Sequence, residues 1–387
     1  MTQLKFKDFV TLQRGFDLPE SQRIEGPYPI VGSTSIIGRH HEYKTNPPGV
    51  TTGRSGSLGT VLYIKERFWP HNTTLWVKDF KGNLPRYVSY HMTILGLELY
   101  NSGAGVPTLN RNHLDSLEME VPPLPTQHKI ASILSSYDEL IENNSRRIKI
   151  LEEMAQSIYR EWFVNYRFPG HEKVKMVESP LGMIPEGWEV VSFTDISDIL
   201  SGGTPKTTLQ EYWGGHIPFF LPKYAPGSFY VTDTEKTITE LGLKKCNSKL
   251  YPKDTVFITA RGTVGKVVMT ARDMAMSQSC YALRGRDGIP QSYLFLTTIN
   301  SVDYLKKNTG GATFDTIVVD TFRRMNVVKP HSQIILQFSQ IIEPLLDLIL
   351  NVINKNTTLR QTRDILLPGL ISGEIDVTDL DIQVPED

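Results

Sequence analysis

The chain has 387 residues, of which 40% are hydrophobic and 21% are charged, a composition typical of a globular protein with about two or three domains. It contains no uninterrupted run of about 18 apolar residues, which argues against a membrane span. Its two cysteines, Cys246 and Cys280, are too few for a disulfide framework, so we expect free thiols in a cytoplasmic protein.

The net charge of −1 conceals four blocks of alternating sign. Residues 1–112 carry 13 basic and 8 acidic side chains, residues 113–189 carry 8 and 13, residues 190–330 carry 17 and 12, and residues 331–387 carry 3 and 9. The two cationic blocks are suited to face a polyanion such as nucleic acid. An excess of this size is also ordinary for blocks of this length, so charge alone leaves the partner open.

The two cationic blocks are rich in glycine, proline and β-forming residues, which predicts short strands and turns. They also repeat one another. Gly56–Val61 matches Gly262–Val267 at an offset of 206, whereas Phe6 matches Phe193 at an offset of 187. The offset grows by 19, so we expect the second copy to carry about 19 extra residues, within 204–253. The pattern predicts an internal repeat.

A heptad pattern follows each β-rich block and predicts a long helix with one apolar seam. Polar Asn144 and Asn356 interrupt the two seams, and such residues often set the register of paired helices. The predicted coiled-coil residues are Ile130, Leu134, Tyr137, Ile141, Asn144, Ile148, Leu151 and Ile158 in the first helix and Phe338, Ile342, Leu345, Ile349, Val352, Leu359 and Leu366 in the second.

The sequence therefore predicts an α+β protein with an internal twofold repeat, in which two β-rich domains are joined by two long helices that form an antiparallel coiled coil. The alternative is that each helix packs only on its own β-rich domain. The predicted boundaries are 1–124 for the first β-rich domain, 125–166 for the first helix, 167–331 for the second domain, and 332–387 for the second helix with an acidic tail.

Four motifs stand out along the chain: Pro122–Gln127 before the first helix, Leu181–Val191 at the opening of the second β-rich domain, Tyr212–Pro218 within that domain, and Leu366–Ile375 at the end of the second helix. Together they resemble the motifs of specificity subunits of type I restriction–modification systems. The resemblance covers essentially the whole chain. It implies that the β-rich domains are target recognition domains, each of which reads one half of a split target in double-stranded DNA.

The resemblance also implies partners and a division of labour. The chain would be a non-catalytic DNA-recognition subunit whose helices set the spacer between half-sites and dock two methyltransferase subunits, and restriction subunits would complete the complex. S-adenosylmethionine, ATP and magnesium would be bound by partner subunits, with no cofactor or metal in this chain. The alternatives are a stand-alone DNA adenine methyltransferase or nuclease, and a coiled-coil scaffold that joins two protein-binding domains.

Two segments look like parts of enzyme motifs. Asn46–Gly49 resembles the Asn-Pro-Pro-aromatic motif of amino-methyltransferases, but Gly49 replaces the aromatic ring that would stack on a flipped base. Gly262–Lys266 resembles the end of a phosphate-binding loop, but Val267 stands where that loop has Ser or Thr. We interpret the first as a proline-rich turn and the second as a strand connection.

The candidate DNA contacts lie on two glycine-flanked loops and on the longer insert of the second domain. Glycines let the backbone approach a phosphate, cations and hydroxyls bind it, and Arg, Asn and Gln can read base edges. The alternative is that these loops are tight turns that only close the sheets. The candidates are Arg54, Ser55, Ser57 and Asn72 in the first domain and Lys223, Tyr224, Lys244, Lys245, Arg261, Thr263, Lys266 and Gln278 in the second, with the basic stretch continuing through Lys249 and Lys253.

Overall fold

The computed structural model describes residues 1–103, 105–309 and 316–382. The chain divides into two compact units. The first consists of Met1–Glu142 with Thr357–Asp387, and the second is Asn143–Asn356. Each unit contains one β-rich domain and a segment of each long helix, so the helices do not form a domain of their own.

The first β-rich domain begins and ends with two paired strands, β1 (Thr2–Lys5) and β9 (Glu118–Val121), which run antiparallel with Thr2 opposite Val121. We call this pair the first clasp. The strands inside it form one sheet of order β2-β8-β5-β6 and a smaller one of order β4-β3-β7. The elements between the clasp strands are α1 (Phe6–Phe9), β2 (Thr11–Arg14), β3 (Tyr28–Val31), β4 (Ile36–His40), β5 (Gly49–Gly53), β6 (Val61–Ile64), β7 (Trp69–Pro70), β8 (Thr74–Asp79), α2 (Pro85–Ile94) and α3 (Arg111–Leu114).

The core of the first unit joins the β-rich domain to both long helices, which are α4 (Leu124–Tyr159) and α10 (Ser332–Ser372). Ile130 and Leu134 from the start of α4 share one apolar cluster with Leu367 and Leu370 from the end of α10 and with α1, α2 and the sheet. This burial of apolar side chains is what holds the helix ends on the domain.

Asp138 of α4 is a polar hub inside the first unit. Its Oδ2 accepts a hydrogen bond from Arg86 Nη2 at 2.6 Å, and its Oδ1 accepts one from Arg363 Nη1 at 2.6 Å. The Tyr90 hydroxyl also donates to Oδ2. One carboxylate thus links α2, α4 and α10, and its short charge-assisted bonds are of the strong kind.

The second β-rich domain is built in the same way. Its clasp strands, β12 (Glu189–Ser192) and β21 (Asn326–Lys329), pair antiparallel, and we call them the second clasp. The sheets have the orders β13-β20-β17-β18-β15 and β16-β14-β19. The elements between α4 and α10 other than the clasp strands are β10 (Met176–Ser179), β11 (Gly182–Pro185), α5 (Phe193–Ile196), β13 (Ser197–Ser201), β14 (Trp213–Phe220), β15 (Tyr230–Val231), β16 (Thr237–Ile238), α6 (Glu240–Lys244), β17 (Val256–Thr259), β18 (Val267–Thr270), β19 (Ala275–Met276), β20 (Cys280–Gly285), α7 (Gln291–Asn300), α8 (Val302–Lys307) and α9 (Val319–Arg324).

The predicted internal repeat is present in the strand pairing. Ile30 pairs in parallel with Trp69 in the first domain, and Phe219 pairs in parallel with Ala275 in the second. The offset is therefore 189 at the first strand of the pair (219 minus 30) and 206 at the second (275 minus 69). Most of the extra residues thus lie between β14 and β17, inside the predicted interval, where the second domain gains β15 and α6.

The aromatic centre of the second unit is Phe338 of α10, which is fully buried. Its ring centroid lies 4.8 Å from that of Phe163, 5.7 Å from Trp162 and 6.0 Å from Tyr159. The ring of Tyr293 from α7 closes the cluster at 6.4 Å. The end of α4 and its following π-helical turn, Arg160–Val164, are therefore packed against the start of α10 and against the β-rich domain.

The paired asparagines meet within the second unit. Asn144 Nδ2 donates a hydrogen bond to Asn356 Oδ1 at 2.9 Å, and both residues are buried. In each unit a later segment of one helix contacts an earlier segment of the other, as Tyr159 does with Phe338 and Asp138 with Arg363. The helices are therefore antiparallel, which confirms the predicted arrangement.

The predicted seams coincide with the buried faces of the helices. Every predicted seam residue is buried or half-buried. The first helix, predicted at 125–166, is α-helical from Leu124 to Tyr159, and the second begins at Ser332 as predicted and ends at Ser372. The predicted acidic tail lies partly outside the described residues, which end at 382.

By length and composition alone, the helix Ser332–Ser372 is apolar enough to cross a membrane. The absence of an uninterrupted apolar run therefore does not by itself exclude a membrane span. Phe338, Ile342 and Ile349 of this helix are fully buried in the core of the second unit. Burial in this core accounts for these apolar residues of the helix without a membrane.

Glu152 of α4 is a buried carboxylate that binds the backbone of the insert in the second β-rich domain, the extra residues between β14 and β17. Its Oε1 accepts a hydrogen bond from the backbone N–H of Phe229 at 2.7 Å, just before β15. Burial raises the pKa of Glu152 to about 7, although the bond from Phe229 acts in the opposite direction. The folded chain therefore binds this proton more tightly than the unfolded chain, in which the pKa is close to its ordinary value of 4.5.

Replacing Glu152 by glutamine should change how stability depends on pH. Because the folded-state pKa lies above the unfolded one, the contribution of Glu152 to stability is greatest below pH 4.5 and falls as the pH rises through 7, by at most about 3 kcal/mol. We expect Glu152→Gln to unfold near the wild-type urea midpoint at pH 5 and at a higher midpoint at pH 8. The exposed neighbour Glu153→Gln is the control, and parallel curves for Glu152→Gln and wild type would contradict this account.

Candidate nucleic-acid interface

The strands of the first β-rich domain bring several loops to one edge. β3 and β7 are parallel and end together at Val31 and Pro70. β2 ends at Arg14 opposite Leu75, and β5 ends at Gly53 opposite Thr74. The loops that follow or precede these strand ends therefore share one side of the domain, which we call the first edge. It consists of 15–17, 32–35, 54–60 and 71–73.

The loop 54–60 is held by its backbone. The N–H groups of Arg54 and Ser55 both donate to the carbonyl of Thr73, at 2.8 and 3.2 Å. Gly56 and Gly59 have φ values of 90° and 89°, a left-handed conformation in which a side chain would be strained. The glycines noted in the sequence thus shape the turn of this loop.

The predicted DNA contacts of the first domain all lie on the first edge, but they differ in exposure and in hydrogen bonding. Ser57 is exposed, whereas Arg54 and Ser55 are half-buried. Arg54 Nη1 donates to the backbone carbonyl of Asn72 at 3.3 Å, so this guanidinium braces two loops. Asn72 Nδ2 donates to the carboxylate of Asp17.

The second β-rich domain has the equivalent edge. β14 and β19 are parallel and end at Phe220 and Met276, and β17 ends at Thr259 opposite Cys280. β13 ends at Ser201, which lies opposite Tyr281 of β20. The loops at these ends, which we call the second edge, are 202–206, 221–224, 260–266 and 277–279.

The two glycine-flanked loops are the same structure. In the second edge the N–H groups of Ala260 and Arg261 both donate to the carbonyl of Ser279, again at 2.8 and 3.2 Å. Gly262 and Gly265 have φ values of 75° and 81°. The backbone match places Arg261 at the position of Ser55, while Ala260 takes the position of Arg54. The bracing arginine of the first loop therefore has no counterpart, and the second loop presents its arginine to solvent.

The predicted contacts on the second edge are more exposed and more cationic than those on the first. Arg261, Thr263, Lys266 and Gln278 are exposed. Exposed cationic and polar side chains of this kind can reach a phosphate or a base edge.

Lys244 and Lys245 are also exposed, at the end of α6. The segment that follows them lies against the second edge, because a Cβ added to Gly203 would come within 2.5 Å of the Asn247 nitrogen. Lys253 does not belong to this surface. It precedes β17 at the opposite end of the strand, where its Nζ lies 4.0 Å from the carboxylate of Asp254.

Lys223 and Tyr224 are held by an acidic residue that the sequence analysis missed. Lys223 Nζ and the Tyr224 hydroxyl each lie 3.0 Å from Glu235 Oε2. The hydrogen bond from Lys223 lowers the pKa of Glu235, so the carboxylate offsets the charge of this lysine. Glu235 and Asp17 gave no signal in the sequence, because long-range strand pairing brings them to the edges.

The Asn46–Gly49 segment lies away from the first edge, at the other end of β5. Pro47 and Pro48 line a cavity of about 650 Å³ together with Tyr63, Arg86 and His128. The Arg86 guanidinium lies 4.5 Å from the centre of the Tyr63 ring. Pro47 and Pro48 thus form part of the wall of a cavity within the first unit.

A family model, described as the type I restriction modification DNA specificity domain, matches residues 1–153 and 185–360. These two copies coincide with the two halves of the repeat.

Two curated relatives are similar in sequence. The type I restriction enzyme MjaIX specificity subunit of Methanocaldococcus jannaschii is 30% identical over 188 residues, which is 48% of this chain and 44% of that protein. The type I restriction enzyme HindI specificity subunit of Haemophilus influenzae is 22% identical over 328 residues, 70% of this chain and 71% of that protein. The match to the first of these relatives thus spans less than half of its length.

The fold has a counterpart of known structure. A crystal structure of the type I restriction–modification system S subunit from M. genitalium superimposes with a TM-score of 0.61 at 18% sequence identity, and covers 96% of each chain. At 18% identity this likeness is evidence for the fold only. Membership of a family is shown instead by the match to the family model. The chain, with two matched copies that together span most of its length, belongs to the type I restriction modification DNA specificity domain family.

Proposed function

We propose that this chain is the non-catalytic DNA-recognition subunit of a type I restriction–modification complex in the cytoplasm, and that each edge reads one half of a split target. The observation that carries this proposal is the repeated edge. Two domains with the same backbone present the same loop twice, and their side chains there differ. A shared backbone with different side chains is what two half-sites of different sequence require.

The proposal extends to the partners. Apolar side chains remain exposed on both long helices, including Leu140, Ile150 and Met154 on α4 and Ile341 and Ile365 on α10. Exposed apolar residues on otherwise packed helices are typical of surfaces that bind another protein. We assign these faces to two methyltransferase subunits and the spacing of the half-sites to the helices. Restriction subunits complete the complex, and S-adenosylmethionine, ATP and magnesium belong to the partner subunits.

Binding of the chain to duplex DNA should weaken as salt rises, with a slope set by the number of phosphates it contacts. Removing the two exposed cations of the second loop, with Arg261→Gln and Lys266→Gln together, should reduce the slope of log K against log salt by up to about 2, since each phosphate contact contributes about 0.9. Fluorescence anisotropy of a labelled duplex at several salt concentrations measures this slope.

The matched control is the double variant Lys253→Gln with Arg272→Gln. Both residues are exposed and lie in the same domain, at the opposite end of β17 and β18, so the control changes the net charge by the same amount. Equal losses in the two double variants would mean that the second edge has no special role. A wild-type chain that shows no salt-dependent binding would favour the scaffold alternative.

A further inference from the structure

Each edge carries one carboxamide at the tip of the same turn. In the first domain the turn between β7 and β8 presents Asn72, and in the second domain the turn between β19 and β20 presents Gln278. Each precedes the residue whose carbonyl accepts the two N–H bonds of the glycine-flanked loop, Thr73 and Ser279 respectively. The two carboxamides therefore occupy equivalent positions in the repeat, although one is half-buried and the other exposed.

The orientation of the Asn72 carboxamide is set by its partner. A carboxylate only accepts hydrogen bonds, so the Asn72 group that faces Asp17 must be its NH₂. Arg14 Nη2 donates to Asp17 Oδ1 at 3.1 Å and holds that carboxylate in place. Within the described part of the chain, Asn72 Oδ1 and the second N–H of its amide have no hydrogen-bond partner, so they remain for a ligand as one acceptor beside one donor.

That arrangement complements one base edge. In the major groove, adenine presents the N6 amino donor beside the N7 acceptor, and Asn or Gln can bond both at once. Guanine presents two acceptors there, and cytosine and thymine lack the paired pattern. A carboxamide with a fixed orientation therefore favours adenine over the other bases.

We propose that Asn72 reads an adenine in one half of the target and Gln278 reads an adenine in the other, with Asp17 as the positioning residue for Asn72. The inference rests on the proposed function, and it adds the base and the residues that recognise it. The glycine-flanked loop next to each turn is common to both domains. In this proposal it binds the phosphate backbone of the DNA, so it does not discriminate between bases.

Selection of duplexes from a random-sequence library by the full chain tests the proposal. The wild type should enrich a split target with an adenine–thymine pair in each half. Asn72→Ala should reduce the preference for adenine at one position of one half by about 5- to 150-fold, the range of a lost bidentate contact, and leave the other half unchanged. Gln278→Ala should produce the reverse pattern.

Asp17→Asn tests the positioning role. An asparagine at this position can both donate and accept, so the amide of Asn72 is no longer fixed in one orientation. We expect a broader base preference at the position read by Asn72, with the melting temperature and the other half-site unchanged. A purely structural Asp17 would alter the melting temperature and leave the preference as it is.

The outcomes separate the two proposals. If the wild type enriches no sequence, the proposed function fails and the inference falls with it. If the wild type enriches a split target and both Asn72→Ala and Gln278→Ala enrich the same target unchanged, only the inference is overturned. Should Asn72→Ala unfold, Asn72→Ser replaces it, because serine is a common turn residue and cannot make the bidentate contact to adenine.

Discussion

Replacing Phe338 by alanine should destabilise the second unit by about 3–5 kcal/mol, the usual cost of removing a fully buried aromatic ring. The ring lies among Tyr159, Trp162, Phe163 and Tyr293. These four large rings come from α4, its π-helical turn and α7, so no single movement of the backbone can fill the space left behind. The loss therefore includes a cavity as well as the contacts.

Urea unfolding of the full chain, followed by tryptophan fluorescence, measures this effect, because Trp162 reports directly on the cluster. The control is Leu336→Ala, two positions earlier on the same helix, whose side chain is 53% exposed. We expect that variant to change the free energy of unfolding by less than about 0.5 kcal/mol. A midpoint for Phe338→Ala equal to that of the control would show that the cluster contributes little.

Replacing Asp138 by alanine should cost the first unit about 2–4 kcal/mol, because in a poorly hydrated site it takes this acceptor from Arg86 and Tyr90 and removes one of the two carboxylates that bind Arg363. The side chains of Asp138, Arg86 and Arg363 are 24%, 17% and 27% exposed, so water replaces the carboxylate only in part. Without it, the two guanidinium groups also repel one another. Asp138→Asn keeps an acceptor but loses the charge, and should be intermediate.

Hydrogen exchange shows which part of the chain loses stability in this variant. Asp138→Ala should lose protection in α2, in the start of α4 and in the end of α10, and should keep wild-type protection in the sheets of the second unit. The neighbouring exposed residue provides the control, since Glu139→Ala removes one carboxylate from the same helix. Loss of protection spread evenly over both units would contradict the assignment of Asp138 to the first unit.

The helices were the most predictable part of the fold. The spacing of Ile130, Leu134 and the later seam residues reflects the geometry of a helix, which depends on neighbours along the chain. Asn144 and Asn356 stood out for the same reason, as polar residues within apolar seams, whereas the hydrogen bond between them comes from the structure. The repeat followed from short matches because the loop glycines recur at a constant offset.

The edges were less predictable because their chemistry depends on residues far apart in sequence. Arg54 and Arg261 looked equivalent, yet the backbone register shifts them by one position, and only Arg54 braces a neighbouring loop. Asp17 reaches Asn72 across 55 positions of the chain. The glycine pattern was enough to assign the candidate residues of the two loops to turns, whereas Asp17 and Glu235, which bind Asn72 and Lys223, were not among the candidates.

The clasps have a consequence for evolution and engineering. Because β1 pairs with β9 and β12 pairs with β21, each β-rich domain leaves and rejoins the rest of the chain through two adjacent strands. A foreign domain grafted between the same two strands meets a boundary that is already closed by hydrogen bonds, but it must also fit the apolar surface that the native domain shares with the helices. Recombination within the clasps therefore exchanges one β-rich domain as a unit and keeps the sequence of both helices, and under the proposed function it would combine half-sites in new ways.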